Sequence, residues 1–196
     1  MKKKTNQMDV VFLLDRSGSM SNCVNDTIGG YNSYLEEQRK NKNALVTTVL
    51  FDNEYEVLHD RTPINEVKNI TEKEYFVRGC TALNDAIGKT ILSLERVDPK
   101  KVLFIITTDG LENASREFRK SDIKALIEKH SDWNFLYIGA NIDSYEEGQR
   151  LGIKKDNIAN YEQSSSGVQK LFRSISKASK MVMEEELSGS WKDELE

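Results

Sequence analysis

An α/β fold with a mostly parallel central sheet and helices on both faces is what this 196-residue sequence predicts, on three observations. Near-continuous apolar or β-branched runs recur at residues 8–14, 44–51, 101–108 and 134–140, the composition of strands buried on both faces as a parallel sheet requires. Segments with the apolar spacing of amphipathic helices lie between them, and that alternation places the chain in the α/β class. "VLFDNEYEVL" joins two strand-like runs through Asp52 and Asn53, a hairpin pairing that adds one short antiparallel strand at a sheet edge.

The elements follow in order. "MDVVFLL" is the first strand, and it empties into the polar "DRSGSM". "ALVTTVLF" is the second, and the hairpin returns as an edge strand over about 54–59. Residues 60–78 have weak periodicity and contain Pro63, so an irregular connection is expected there. "RGCTALNDAI" places Thr81 just before a helix whose Leu83, Ile87, Ile91 and Leu94 share one face. "KVLFIITT" is a strand ending in Asp109-Gly110, and Ile123, Leu126, Ile127 and His130 mark the helix after it. "NFLYIGA" is the next strand. A last helix, 167–187, begins at the Ser-rich "QSSSG" and carries Val168, Leu171, Phe172, Ile175, Ala178 and Val182 on one stripe, read as core. The acidic "EEELSGSWKDELE" is expected to fray.

The length suits one domain with its own core, with no internal repeat and no interdomain linker. Lys plus Arg number 28 against 32 Asp plus Glu, and the net charge of −4 offers no general attraction to nucleic acid or to an anionic membrane. The basic start "MKKK" is followed by an apolar run of only Val10 to Leu14, short of the roughly 7 to 15 residues of a secretory signal. No apolar stretch approaches the ~20 residues that span a bilayer, so a cytoplasmic protein is expected. Cys23 and Cys80 lack metal-site or disulfide-framework spacing and are expected to be small buried packing residues. His59 and His130 are expected to be structural or solvated.

Ligands of open α/β sheets bind beyond the carboxyl ends of the strands. Asp15, Ser17 and Ser19 follow the first strand, Asp109 follows the fourth, and Thr81 precedes a helix. If the first and fourth strands are neighbours, these oxygen-bearing side chains meet at one edge. Magnesium demands near-octahedral oxygen coordination at about 2.0 to 2.1 Å, and hydroxyls with a few carboxylates suit it. Two aspartates balance a divalent charge, and neutral hydroxyls fill further positions while leaving the ion an appetite for one more anionic oxygen. Gly18 is expected to let the loop fold tightly. Each piece alone has an ordinary explanation: "DRSGSM" as a turn or cap, Thr81 as a helix cap, Asp109-Gly110 as a turn. "ELSGSW" at 186–191 has a similar S-G-S but follows a helix, and no metal is assigned to it.

These residues resemble the metal-ion-dependent adhesion site (MIDAS) of the von Willebrand factor type A (vWA) family. Its D-x-S-x-S pattern is matched by Asp15, Ser17 and Ser19, its distant Thr by Thr81 after Gly79, and its T-D-G by Thr108, Asp109 and Gly110. Cys80, between Gly79 and Thr81, is less typical. The resemblance spans about residues 8–187, leaving a basic N-terminal tail, 1–7, and an acidic C-terminal tail, 188–196. It implies a Rossmann-like three-layer sandwich with one short antiparallel edge strand. By the same resemblance, Ser17 and Ser19 bind Mg2+ directly; the ligand set scarcely discriminates against Mn2+, which is a second candidate. Asp15 acts through water or by holding the serines, and Thr81 and Asp109 exchange direct and water-mediated roles. It further implies that a partner protein supplies an Asp or Glu to the metal, that the last helix moves when it does, and that an intracellular, bacterial-type single-domain member works inside complexes, ATPase-containing assemblies among them.

The expectation is a magnesium-dependent protein-interaction module without catalysis of its own. A metal-dependent phosphatase or hydrolase using Asp15 as nucleophile is an alternative. Such enzymes usually need a second carboxylate two residues on as acid and base, and here that position is Ser17. A serine hydrolase lacks its G-x-S-x-G, and a nucleotide-binding domain lacks G-x-G-x-x-G and the P-loop. A metal-free scaffold is the remaining alternative.

Overall fold

The computed structural model describes residues 7–40, 43–185 and 187–196. Six strands, β1 (Met8–Asp15), β2 (Ala44–Phe51), β3 (Tyr55–Pro63), β4 (Val102–Thr108), β5 (Asn134–Gly139) and β6 (Ile158–Asn160), form one sheet in the order β3-β2-β1-β4-β5-β6. All neighbours pair parallel except β2 and β3. The order 3-2-1-4-5-6 is that of a doubly wound dinucleotide-binding sheet, here with its first edge strand reversed. Among the described residues, five α-helices complete the layers: α1 (Val24–Gln38), α2 (Leu83–Glu95), α3 (Lys120–Lys129), α4 (Ser144–Arg150) and α5 (Ser165–Met183). None is long and apolar enough to cross a membrane.

Every residue of β1 is buried, so its two faces feed two cores. Val10, Phe12 and Leu14 point with Tyr31, Tyr34 and Leu35 of α1 and Val168, Leu171, Phe172 and Ile175 of α5 into one core. Val11 and Leu13 point with Leu83, Ile87 and Ile91 of α2 and Ile123 and Ile127 of α3 into the other. The near-continuous apolar runs of the sequence are thus the signature of a sheet covered on both sides. The apolar stripe of the helix expected at 167–187 is core, on a helix that runs from Ser165 to Met183.

The edge strand runs to Pro63 rather than stopping near 59, because pairing with β2 continues past irregularities around Thr48. Arg61 absorbs the local distortion with φ of 42°, its N–H donating to Thr47 Oγ1 and its guanidinium pairing with Asp9. Pro63 closes the strand, where a missing N–H costs nothing. The end expected to fray is docked: residues Gly189–Lys192 form a 3-10 turn, Trp191 is fully buried, and its Nε1 donates to the Asp156 carbonyl at 2.9 Å. Cys23 is buried as expected, but Cys80 is exposed. Of the basic N-terminal tail, residues 1–6 lie outside the described residues.

Candidate metal centre

β1 and β4 are neighbours, with Leu14 opposite Thr107, so the strand ends that carry Asp15 and Asp109 lie side by side at the carboxyl edge of the sheet. Asp15 ends β1 buried to 1% exposure. Its Oδ1 accepts from the Ser17 N–H at 2.7 Å and its Oδ2 from the Thr108 hydroxyl at 2.6 Å. The carboxylate therefore curls the following loop and ties it to β4. Burial pushes the Asp15 carboxyl up to about 6, against the lowering effect of those hydrogen bonds, and the nearby charge of Asp109 adds to the rise.

Ser17 is extended and buried, and the chain then turns through the 3-10 segment Gly18–Cys23, which brings Ser19 back to the rim. Ser17 Oγ and Ser19 Oγ are 3.1 Å apart, and Ser19 Oγ donates to Asp109 Oδ1 at 2.5 Å. Gly18 does not carry the unusual backbone angle expected of it. The left-handed glycine at this edge is Gly79, with φ of +65°, where a Cβ would also meet Asn53 Oδ1 at 2.1 Å. Gly79 accepts from the Gly18 N–H at 3.2 Å, and the Cys80 N–H donates to Asn53 Oδ1 at 2.7 Å, so the segment bearing Thr81 is clamped between the first loop and the hairpin tip.

Thr81 is buried at this edge, and it is not a helix cap. The N-cap position of α2 is Ala82, without a side-chain bond. The free N–H groups of α2 are met from the loop after Asp109: Glu112 accepts from Asn84 N at 2.8 Å and Ser115 Oγ from Asp85 N at 3.0 Å. Asn113 pairs with Thr81 in both directions through backbone N–H groups, at 2.9 and 3.0 Å. A Cβ on Gly110 would stand 3.1 Å from Thr81 Oγ1 and 3.8 Å from Ser19 Oγ, so these hydroxyls flank one glycine that lacks a side chain to separate them.

All five residues singled out in the sequence are therefore brought to one edge. Three supporting groups were not foreseen. Thr108 was matched as pattern, yet its hydroxyl is what orients Asp15. Fully buried Arg16, between Asp15 and Ser17, pairs with Asp52 at 2.8 Å and Glu56 at 2.7 Å, and Asp52 also binds Arg78, so the hairpin tip is bolted under the site loop. Although burial works against ionisation of Asp52, the Arg78 bond, the Glu54 N–H and Arg16 outweigh it and hold that carboxyl below its usual range. Gln163, between β6 and α5, donates to Asp109 Oδ2 at 2.6 Å and to the Ser19 carbonyl at 3.2 Å. A lone Gln in a polar loop gives no signal in sequence; the Asp52-Asn53 pair did, but only as a turn.

The donors fit a hard divalent ion. They are all oxygens, and adjacent oxygens of an octahedral shell at about 2.1 Å stand roughly 3 Å apart, close to the Ser17–Ser19 spacing of 3.1 Å. Among the described residues neither Asp15 nor Asp109 has a Lys or Arg partner, whereas Asp9, Asp52 and Asp98 do. Among the described residues no group of three or more His, Cys, Asp or Glu side chains could hold a metal, so any ion here would rest on two carboxylates and three hydroxyls.

No protein-family model matches the chain, and no curated protein matches it in sequence. Solved structures match it in fold. The von Willebrand factor type A structure from Catenulispora acidiphila is 14% identical, with a TM-score of 0.63 over 88% of this chain and 42% of its own. VWA2, the ArnB paralog from Sulfolobus acidocaldarius, is 18% identical, with a TM-score of 0.60 over 88% of this chain and 45% of its own. Proximal thread matrix protein 1 from the mussel byssus is 16% identical, with a TM-score of 0.65 over 87% of this chain and 45% of its own. This chain spans less than half the length of each. At such identities the likeness is one of fold, and the fold is vWA-like.

Proposed function

We propose that this protein is a cytoplasmic, magnesium-dependent protein-interaction module in which Asp15, Ser17, Ser19, Thr81 and Asp109 hold the ion, manganese being an acceptable substitute, and a partner protein supplies an Asp or Glu. The vWA-like fold supports an interaction module in general. One observation supports the metal: two buried carboxylates, without a cationic partner among the described residues, meet hydroxyls at the carboxyl edge of the sheet. Buried charge of this kind is normally paired or coordinates a metal. When bound, Mg2+ supplies a Lewis-acidic position for a foreign carboxylate.

The chain's own residues divide the work. Ser17, Ser19 and Thr81 are neutral donors that leave positive charge uncancelled. Asp109, at the rim, supplies charge, and Asp15 shapes the loop through Ser17 and Thr108. A binding role is favoured over hydrolysis because both oxygens of Asp15 are engaged by donors, leaving a poor nucleophile, and the position two residues on is a serine.

Calorimetric titration with MgCl2 tests the reading. Wild-type protein is expected to bind magnesium. Ser19→Ala and Asp109→Ala are expected to lose binding with an unchanged far-UV circular dichroism spectrum. A wild type that binds no magnesium returns the protein to the metal-free scaffold, and phosphate-ester turnover that vanishes in Asp15→Ala restores the enzyme.

A further inference from the structure

Asp109 presents its two oxygens to different neighbours. Oδ1 accepts from Ser19 at 2.5 Å, on the side of the other hydroxyls. Oδ2 is taken by the Gln163 amide at 2.6 Å, and the same nitrogen reaches the Ser19 carbonyl at 3.2 Å. Both of those acceptors require a donor, so the amide nitrogen must face them and the amide oxygen must face away. The oxygen accepts from Asn141 Nδ2 at 2.6 Å, and Asn141 sits just beyond β5 with φ of 57°. Two amides in series therefore brace one side of Asp109, and the half-buried Gln163 gives the carboxylate a fixed rotation.

We propose that Gln163 determines the ion specificity of the site: by holding Oδ2 it leaves only Oδ1, on the side of the hydroxyls, to turn from Ser19 to the ion, which favours magnesium or manganese over calcium. The inference rests on the metal reading above. Calcium takes about six to eight oxygens at about 2.3 to 2.6 Å and gains from carboxylates that bind through both oxygens, whereas magnesium keeps about 2.0 to 2.1 Å bonds and six positions. A carboxylate locked to one donor oxygen serves the smaller ion and denies the larger one its extra ligand. Gln163 does this without touching the ion, as a positioning residue whose amide restrains a ligand's second oxygen.

MgCl2 and CaCl2 titrations of wild type, Gln163→Ala and Gln163→Met test this. The methionine keeps the length of the side chain and removes the donor. The wild type is expected to prefer magnesium, and both variants to lose about tenfold or more of that preference, the range in which partners behind a metal ligand act. Circular dichroism and thermal midpoints report the fold separately. A wild type that binds magnesium while both variants keep its preference overturns the role of Gln163 and leaves the metal reading standing. A methionine variant that behaves as wild type, or a wild type that prefers calcium, overturns it equally. A wild type that binds neither ion removes both.

Discussion

Asp15 is held between the Ser17 N–H and the Thr108 hydroxyl, yet burial outweighs both and pushes its carboxyl from 3.8 up to about 6. Because the folded value lies above the unfolded one, the folded state holds this proton more tightly. Stability contributed here is full below about pH 4 and is lost as the pH rises through about 6. In chelator-treated protein, urea unfolding is expected to show wild type losing stability relative to Asp15→Asn across that interval, with magnesium reversing the loss. Parallel pH curves would count against burial as the dominant influence. The neighbouring residues show where spacing misleads. Gly18 looked like the residue that needed glycine, but Gly79 takes the left-handed angle, since the clash it avoids is with Asn53 from a distant hairpin. Cys80 looked like packing and is exposed, because the clamp that places Thr81 turns its neighbour outward.

At the scale of elements, α2 is organised by the loop that follows Asp109 rather than by its own leading residues. Glu112 and Ser115 meet its first N–H groups, and Asp85 in turn accepts the N–H groups of Arg116, Glu117 and Phe118, each at 2.9 Å. Burial opposes ionisation of Asp85, but those three bonds and the charge of Lys89 prevail and hold its carboxyl below the usual range. The sign is opposite to that at Asp15: stability is present above the ordinary value of 3.8 and is lost as the pH falls through the depressed one. Asp85→Asn is expected to lower the unfolding free energy at neutral pH by about 1–3 kcal/mol, measured in urea, and the deficit should shrink in acid. An equal deficit at every pH would show that shape, not charge, is what Asp85 supplies. The helices with strong apolar spacing, α2, α3 and α5, were legible. α1 was not, because Thr27, Tyr31 and Tyr34 put hydroxyl-bearing side chains on its buried face, two of them paired with Thr48 and Ser179. β6 has only three residues, too few to show a period.

The whole molecule is closed at its β6 side by its last residues. Trp191 is fully buried, Lys192 donates to the Ile158 carbonyl at 2.9 Å and to the Tyr145 hydroxyl at 2.9 Å, and Lys177 of α5 binds Ser190 and Asp193. Trp191→Ala is expected to cost about 3–5 kcal/mol in denaturant unfolding, where a frayed end would cost nothing. The chain hid this because acidic residues surround one tryptophan, and a single aromatic has no periodicity. What the amino-acid order by itself determined is the class of fold, the hairpin edge and the chemistry of the rim: apolar runs with no polar face need cover on both sides, and hard oxygen donors cluster after strands. The meeting of those donors was only conditional in sequence. It was decided when β1 and β4 paired, which juxtaposes residues 94 positions apart, Asp15 and Asp109. Tertiary structure alone also decided which groups hold the donors, Arg16 with Asp52, Thr108 with Asp15 and Gln163 with Asp109. Those bonds join segments remote along the chain, and a hydrogen bond depends on distance and direction in space, which local pattern does not encode.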